Sequence, residues 1–239
     1  MDPLQKQLEL DILPQPDDTT CGPTCLHAVY RYFDQAVPLS ELIEVVHRLD
    51  EGGTLAVCLA CDALRRGFDA TIYTYNVDLF DPTWFLPNAP PLSDRLTAQM
   101  KAKALPKLHV ASRSYLEFLE LGGKVKLEDL SGQLIRRYLE QSIPILTGLS
   151  ATYLYQCKRE FGPHFEPDDV RGDSCGHFVV LCGFDKAERT VSVADPYEPN
   201  PLGADHYYEV GLDRVICSIL LGVLTYDANL LIIQPKEMS

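Results

Sequence analysis

The chain has 239 residues, 46% of them hydrophobic, which is enough for one large domain or two small ones with a substantial core. Its 21 basic and 34 acidic residues give a formal net charge of −13. This balance argues against a nucleic-acid surface, because such a surface needs clustered Lys and Arg. No apolar run approaches the roughly 20 residues that span a bilayer, and the first residues lack the apolar core of a signal peptide. We therefore expect a soluble, cytoplasmic protein with no membrane partner.

The first third of the sequence predicts a helical region that leads into one strand. Ser40 and Thr54 are the expected N-caps of the second and third helices, because hydroxyl side chains accept hydrogen bonds from the first free backbone N–H groups. The strand is rich in β-branched and aromatic residues. The predicted helices cover about 22–33, 41–49 and 55–66, and the predicted strand covers 68–75.

The middle of the chain begins with a Pro-rich connection and continues with helices and one buried strand. The predicted helices cover 93–104, 112–121 and 130–141, the strand covers 143–149, and residues 158–174 form a polar surface loop.

The last quarter of the sequence predicts sheet. Two apolar runs, 175–184 and 190–195, flank the polar turn 185–189 and indicate an antiparallel hairpin. A second hairpin is predicted from 216–225 and 229–233. With the helices before it, this pattern indicates a globular α/β or α+β protein.

Cys21 is a candidate nucleophile because it stands where the first helix begins. The following Gly22-Pro23 is compatible with a first helical turn, where the missing proline N–H has no intrahelical partner. The positive end of a helix dipole stabilises a thiolate, which is the nucleophilic form of cysteine. The alternative is a buried cysteine at the start of an ordinary core helix.

A cysteine nucleophile needs a base and a group that orients the base. His177 opens one strand of the predicted hairpin and Asp195 closes the other; their midpoint, residue 186, falls inside the turn. The two side chains are therefore expected at the same end of the sheet. Gln15 could add a side-chain N–H to an oxyanion hole. Each residue also has an inert alternative: a hydrogen-bonded histidine, a turn aspartate and a solvated loop glutamine.

The other cysteines give weaker signals. Without a secretion signal, the eight cysteines indicate reduced thiols. Cys58 and Cys61 have the spacing of metal ligands, but they lie in an amphipathic helix. The sequence has no second Cys-x-x-Cys or His pair to complete a metal site, so core packing is favoured. Cys25 is expected to face the core. Cys175 is either a small loop residue or a redox partner near the nucleophile.

Three motifs in order resemble the papain-like cysteine peptidases. They are Gln15-x5-Cys21-Gly, a later Gly-His177-Phe-Val-Val strand and a following Ala-Asp195-Pro. The chain is similar in particular to the bacterial double-glycine leader peptidases, which trim leader peptides from bacteriocin precursors. The resemblance covers about 15–76 and 131–235. It implies an α+β papain-like fold, with an N-terminal helical subdomain packed on a C-terminal antiparallel sheet and the active-site cleft between them.

The resemblance also implies roles for the site residues and a class of substrate. Cys21 would attack, His177 would be the base, Asp195 would orient it and Gln15 would line the oxyanion hole. The substrate would be a peptide or protein, cleaved through a thioester without a metal or organic cofactor. Leader peptidases of this family are usually fused to a membrane transporter, whereas this sequence predicts a single domain, 1–239, with an insertion near 77–125. An acyltransferase or transpeptidase, or a non-catalytic peptide-binding relative, remains the alternative.

Overall fold

The computed structural model describes residues 4–47 and 53–236. The helices are α1 (Cys21–Tyr32), α2 (Leu39–Val45), α3 (Ala56–Arg65), α4 (Leu92–Ala102), α5 (Pro106–Glu120), α6 (Gly132–Glu140), α7 (Ala151–Tyr155) and α8 (Leu212–Leu221). The strands are β1 (Gln5–Gln7), β2 (Phe68–Thr74), β3 (Lys124–Lys126), β4 (Ile145–Ser150), β5 (Glu160–Phe161), β6 (Glu166–Pro167), β7 (Gly176–Asp185), β8 (Thr190–Ala194), β9 (Tyr207–Gly211) and β10 (Asn229–Pro235). Short 3-10 helices cover Pro82–Phe85 and Gly222–Thr225.

One large sheet organises the described residues, with the strand order β3-β2-β10-β4-β7-β8-β9. Its strands are antiparallel, except that β2 and β3 run parallel, and β1 pairs with one end of β7. β4 and β7 are continuous apolar runs that are buried on both faces. The small sheet of β5 and β6 lies within the loop 158–174.

Helices cover the sheet and share one hydrophobic core with it. α1 packs against β7, α3 packs against β2 and α5, and α8 packs against β4. α3 is almost entirely buried, which explains why its sequence is rich in Ala, Leu and Val. One cluster of buried hydrophobic residues has members along the whole chain, from Leu8 to Ile233. The N-terminal helices and the later sheet are therefore parts of one packed unit.

The predicted second hairpin is wrong. Residues 216–225 belong to α8 and the 3-10 helix after it, and β10 pairs instead with β2 and β4. The β-branched and apolar residues of this segment imitate a strand. The buried positions Val215, Ser218 and Ile219, however, are spaced three and four apart, as on one face of a helix.

Both predicted N-caps are also wrong. α2 begins at Leu39 and ends at Val45, one turn short of the predicted end; residues 48 and 49 lie outside the described part. Thr54 donates its hydroxyl to the His47 carbonyl at 2.7 Å rather than capping α3. The first N–H of α3, that of Ala56, is instead bound by Asp227 from the far end of the chain.

The sequence also left some elements unpredicted. The strands β1, β3 and β9 were not expected, and α5 begins at Pro106, six residues before its predicted start. No helix among residues 4–47 and 53–236 has the length and hydrophobicity to cross a membrane.

Candidate active site

Cys21 is the first residue of α1 and lies at the helix end where backbone N–H groups are free. Its side chain is buried, with 7% of its surface exposed. One turn later, the Cys25 thiol donates a hydrogen bond of 3.2 Å to the Phe178 carbonyl of β7. Because Phe178 follows His177 directly, this contact brings the start of α1 to the start of β7. The expectation that Cys25 faces the core is confirmed.

His177 and Asp195 are joined as the predicted hairpin requires. β7 and β8 pair from Asp185 with Thr190 to Val180 with Ala194, with a bulge between Leu181 and Gly183. His177 Nε2 lies 2.8 Å from Asp195 Oδ1. Since Nε2 faces Asp195, Nδ1 is the ring nitrogen left for other partners, and Cys21 and His177 line the same cleft. The structure therefore brings Cys21, His177 and Asp195 into one region.

The Asp195 carboxylate is fully buried, yet both of its oxygens accept hydrogen bonds. Besides the histidine, Oδ1 accepts the Tyr197 backbone N–H at 3.0 Å. Oδ2 accepts the hydroxyls of Tyr155 and Tyr208, each at 2.7 Å. These donors hold the carboxylate in one orientation and keep its charge beside His177.

The charges of the pair follow from these contacts. Burial alone would lower the pKa of His177, but the charge and hydrogen bond of Asp195 outweigh it, and the neighbouring Cys21 adds to them; together they raise the pKa to about 10. Burial would raise the pKa of Asp195, but the charge and hydrogen bond of His177 lower it to about 2. At neutral pH the histidine is therefore a cation beside the Cys21 sulfur.

Tyr155 and Tyr208 belong to the site although sequence reasoning did not find them. Tyr208 lies on β9, which was not predicted, and Tyr155 ends the short helix α7. The alternating pattern of β9, in which Tyr208 and Val210 are buried and their neighbours exposed, is the signal that could have identified that strand. No local pattern connects Tyr155 to Asp195, 40 residues further along the chain.

An aromatic wall stands beside His177 and consists of Tyr155 and Tyr197. Their rings are stacked with centroids 6.0 Å apart, and each centroid lies 6.1 Å from that of the histidine ring. Tyr197 is partly exposed, so this wall offers an apolar surface next to the base.

Gln15 is close to the site through its backbone. Its N–H donates to the Pro196 carbonyl at 2.9 Å, which ties the segment before α1 to the residue after Asp195. Its side-chain N–H donates to the Asp17 carbonyl at 2.9 Å, and its Oε1 is buried without a hydrogen-bond partner among the described residues. The role of Gln15 in an oxyanion hole stays a prediction.

Cys21 and His177 line a cleft of about 210 Å³. Residues from distant parts of the chain complete it: Asp18, Lys107 from the start of α5, Thr225 and Asp227. Lys107 belongs to the segment 77–125, so that segment contributes to the wall of the cleft.

The remaining cysteines lie outside this chemistry. Cys58 and Cys61 are buried in α3, as the core interpretation predicted. Cys175 is partly buried next to the site; burial and the neighbouring Glu160 raise the pKa of its thiol, which keeps it protonated. A redox role for Cys175 stays a prediction.

The fold is shared with a solved structure. A crystal structure of a C39-like peptidase from Bacillus anthracis is 12% identical, with 98% of this chain and 99% of that chain covered and a TM-score of 0.54. Xylellain, a cysteine protease from Xylella fastidiosa, is 14% identical over 99% and 88% of the two chains, with a TM-score of 0.47. A double-glycine-motif protease from an AMS/PCAT transporter, solved in complex with its leader peptide, is 14% identical over 97% and 95%, with a TM-score of 0.46. The expected α+β papain-like fold is confirmed.

Sequence comparison identifies the family. No curated protein matches the chain at a significant level. The model of the family described as "Peptidase_C39 like family" matches residues 95–214, a range that contains His177 and Asp195 and begins after Gln15 and Cys21. The match spans half of the sequence, and the chain therefore belongs to the peptidase C39-like family of papain-like proteins.

Proposed function

We propose that the chain is a cysteine peptidase that hydrolyses a peptide or isopeptide bond through a thioester on Cys21. The observation that carries the proposal is the juxtaposition of three side chains: Cys21 at the free end of α1 lines one cleft with His177, whose Nε2 lies 2.8 Å from Asp195. A nucleophile, a base and an orienting carboxylate in this order are what acyl transfer by cysteine requires.

The charge state of the pair sets the sequence of proton transfers. The raised pKa of His177 keeps its ring protonated. In this mechanism the Cys21 sulfur attacks the carbonyl carbon as a thiolate, which is the nucleophilic form of cysteine. The tetrahedral oxyanion collapses, the C–N bond breaks, and His177 gives its proton to the leaving amine. Neutral His177 then takes a proton from the water that attacks the thioester carbon. The C–S bond breaks, and the thiolate and the imidazolium are restored.

Backbone and side-chain N–H groups stabilise the oxyanion in this proposal. The Cys21 N–H at the start of α1 is one donor, and the Gln15 side chain is the second. The Gln15 amide donates to the Asp17 carbonyl, and in this proposal substrate redirects it toward the cleft.

We further propose that 1–239 is one peptidase domain in which residues 77–125 are an insertion that reshapes the cleft. The continuous core from Leu8 to Ile233 supports a single domain. The presence of Lys107 in the cleft wall supports a role of the insertion at the site. A peptide substrate fits the aromatic wall of Tyr155 and Tyr197, which can pack against an extended backbone.

The proposal is tested by incubating the protein with a library of peptides and identifying new termini by mass spectrometry. We expect cleavage by the wild type and none by Cys21→Ala. The matched control is Cys217→Ala, which removes an exposed thiol on α8 and is expected to leave cleavage unchanged. Undiminished cleavage by Cys21→Ala would contradict the proposal. If products conjugated to an added amine replaced hydrolysis products, the activity would be acyl transfer instead.

A further inference from the structure

We propose that Asp227 forms the floor of a specificity pocket that accepts a cationic substrate side chain, Lys or Arg, close to the scissile bond. This inference rests on the proposed peptidase function and deepens it by naming a substrate class. Asp227 is separate from the proposed catalytic residues, because it lies two residues before β10 and contacts neither His177 nor Asp195 by any described hydrogen bond.

Asp227 lies in the cleft that holds the proposed nucleophile. Asp227 and Cys21 line the same cleft. Glycines on the two central strands let the Asp227 segment come this close. A Cβ at Gly148 of β4 would lie 2.7 Å from Asp227 Cβ and 2.8 Å from its carbonyl oxygen. A Cβ at Gly176, next to His177, would lie 2.7 Å from Thr225 Oγ1. A side chain bound near the nucleophile therefore meets this carboxyl.

The two carboxyl oxygens of Asp227 have different environments. Oδ1 accepts the Ala56 N–H at 2.9 Å and the Asn229 side-chain amide at 3.0 Å, so this oxygen holds the start of α3. Among the described residues, no hydrogen bond reaches Oδ2. The fold thus uses one oxygen for structure and leaves the other for a ligand in the cleft.

The charge environment of Asp227 also favours a cationic ligand. Asp227 is 8% exposed, and no Lys, Arg or His within residues 4–47 and 53–236 forms an ion pair with it. Burial accordingly raises its pKa to about 7. Lys107 lines the same cleft and its charge acts on Asp227, but the two form no ion pair, and the Lys107 ammonium lies 5.4 Å from the centroid of the Tyr226 ring. A bound Lys or Arg side chain would supply the charge that this carboxylate lacks.

The test is a cleavage profile on peptides that contain internal Lys and Arg, with the sequences around each cleaved bond aligned. We expect Lys and Arg to be enriched at one position beside the scissile bond in the wild-type profile. In Asp227→Asn, kcat/KM for such peptides should fall at least about 10-fold, with little change for peptides that carry norleucine there. Asn retains an oxygen for the Ala56 N–H, so the contact that holds α3 is preserved.

The matched control is Asp129→Asn, the same chemical change at an exposed carboxylate that does not line the cleft. This variant is expected to keep the preference for Lys and Arg. A wild-type profile without basic enrichment would overturn the inference while leaving the peptidase proposal intact, and this readout needs no variant. Enrichment that survives Asp227→Asn, or that is lost in Asp129→Asn alone, would overturn it as well. If the wild type cleaves nothing, the proposed function fails and the inference fails with it.

Discussion

Hydrogen-bond donors stabilise the buried negative charge of Asp195. An isolated carboxylate in an apolar interior would take up a proton, but four donors surround this one. The retained negative charge is what raises the pKa of His177 to about 10. Two tyrosines distant in sequence thus help to hold this charge beside His177.

The pair predicts a definite dependence of stability on pH. His177 has a folded pKa of about 10 against an ordinary 6.5, so its stabilising contribution is complete below pH 6.5 and is lost as the pH rises toward 10. Asp195, lowered from 3.8 to about 2, contributes fully above pH 3.8 and loses its contribution as the pH falls through 2.

We therefore expect the difference in unfolding free energy between the wild type and His177→Gln to be largest between pH 4 and 6.5 and to shrink toward pH 10. Urea unfolding at a series of pH values measures it. The control is His164→Gln in the exposed loop, which should change stability by less than about 0.5 kcal/mol. A difference that grows between pH 6.5 and 10 would contradict the assigned charge state.

Gln15 gives the second prediction at this scale. If its side chain is the oxyanion donor, Gln15→Ala should lower kcat by about 10²–10³, because the developing negative charge loses one hydrogen bond. Single-turnover cleavage rates measure this step. Gln141→Ala, which removes an exposed amide that likewise donates to a backbone carbonyl, is the matched control. An unchanged rate in Gln15→Ala would remove this residue from the mechanism.

The sequence could predict the paired residues but not their surroundings. His177 and Asp195 flank one short turn, and antiparallel pairing fixes where the two ends of a hairpin meet. Tyr155 and Tyr208 reach Asp195 through an irregular helix and a separate strand, and the approach of such elements depends on packing of the whole sheet. The same holds for Asp227, whose contact with α3 spans 171 positions of sequence.

At the scale of elements, close approach of strands and loops depends on glycine. Gly148 lies on β4, where it pairs with Phe178 and is covered by the Asp227 backbone. Because that backbone cannot move aside as a flexible side chain would, Gly148→Ala should displace the Asp227 segment.

We expect Gly148→Ala to cost about 1–3 kcal/mol of unfolding free energy, as overpacking of a well-packed core does. Gly211→Ala is the matched control, since a Cβ at Gly211 would meet nothing within 4 Å. Chemical denaturation of both variants measures the effect. Equal stabilities for the two would show that the approach of Asp227 to β4 is looser than described.

The misread segment 216–225 shows where patterns of elements fail. Its apolar, β-branched composition favours a strand, yet its buried positions follow a helical period and Asp213 stands in the first turn. The helix is favoured because β4 already pairs with β7 and β10 in the sheet, so α8 can only cover its face. The strand propensity of residues 216–225 is overridden by the arrangement of the sheet.

At the scale of the whole molecule, the cleft is assembled from regions far apart in sequence. α1 supplies Cys21 and β7 supplies His177, which is hydrogen-bonded to the buried Asp195 just after β8. α5 and the segment before β10 supply Lys107 and Asp227. The order of the sequence motifs predicted that Cys21, His177 and Asp195 belong to one site. The role of α5 and β10 depends on how the single core closes, and no local pattern records it.

The most direct test of the account is the rate at which Cys21 reacts with iodoacetamide at pH 6, measured by peptide mapping of all eight cysteines. An ordinary thiol is nearly all protonated at this pH and reacts slowly. We expect Cys21, although buried, to be alkylated faster than the exposed Cys157 and Cys217, and we expect His177→Ala to remove this advantage. If Cys21 reacts no faster than those two exposed thiols, the thiolate–imidazolium pair at the centre of the account is contradicted.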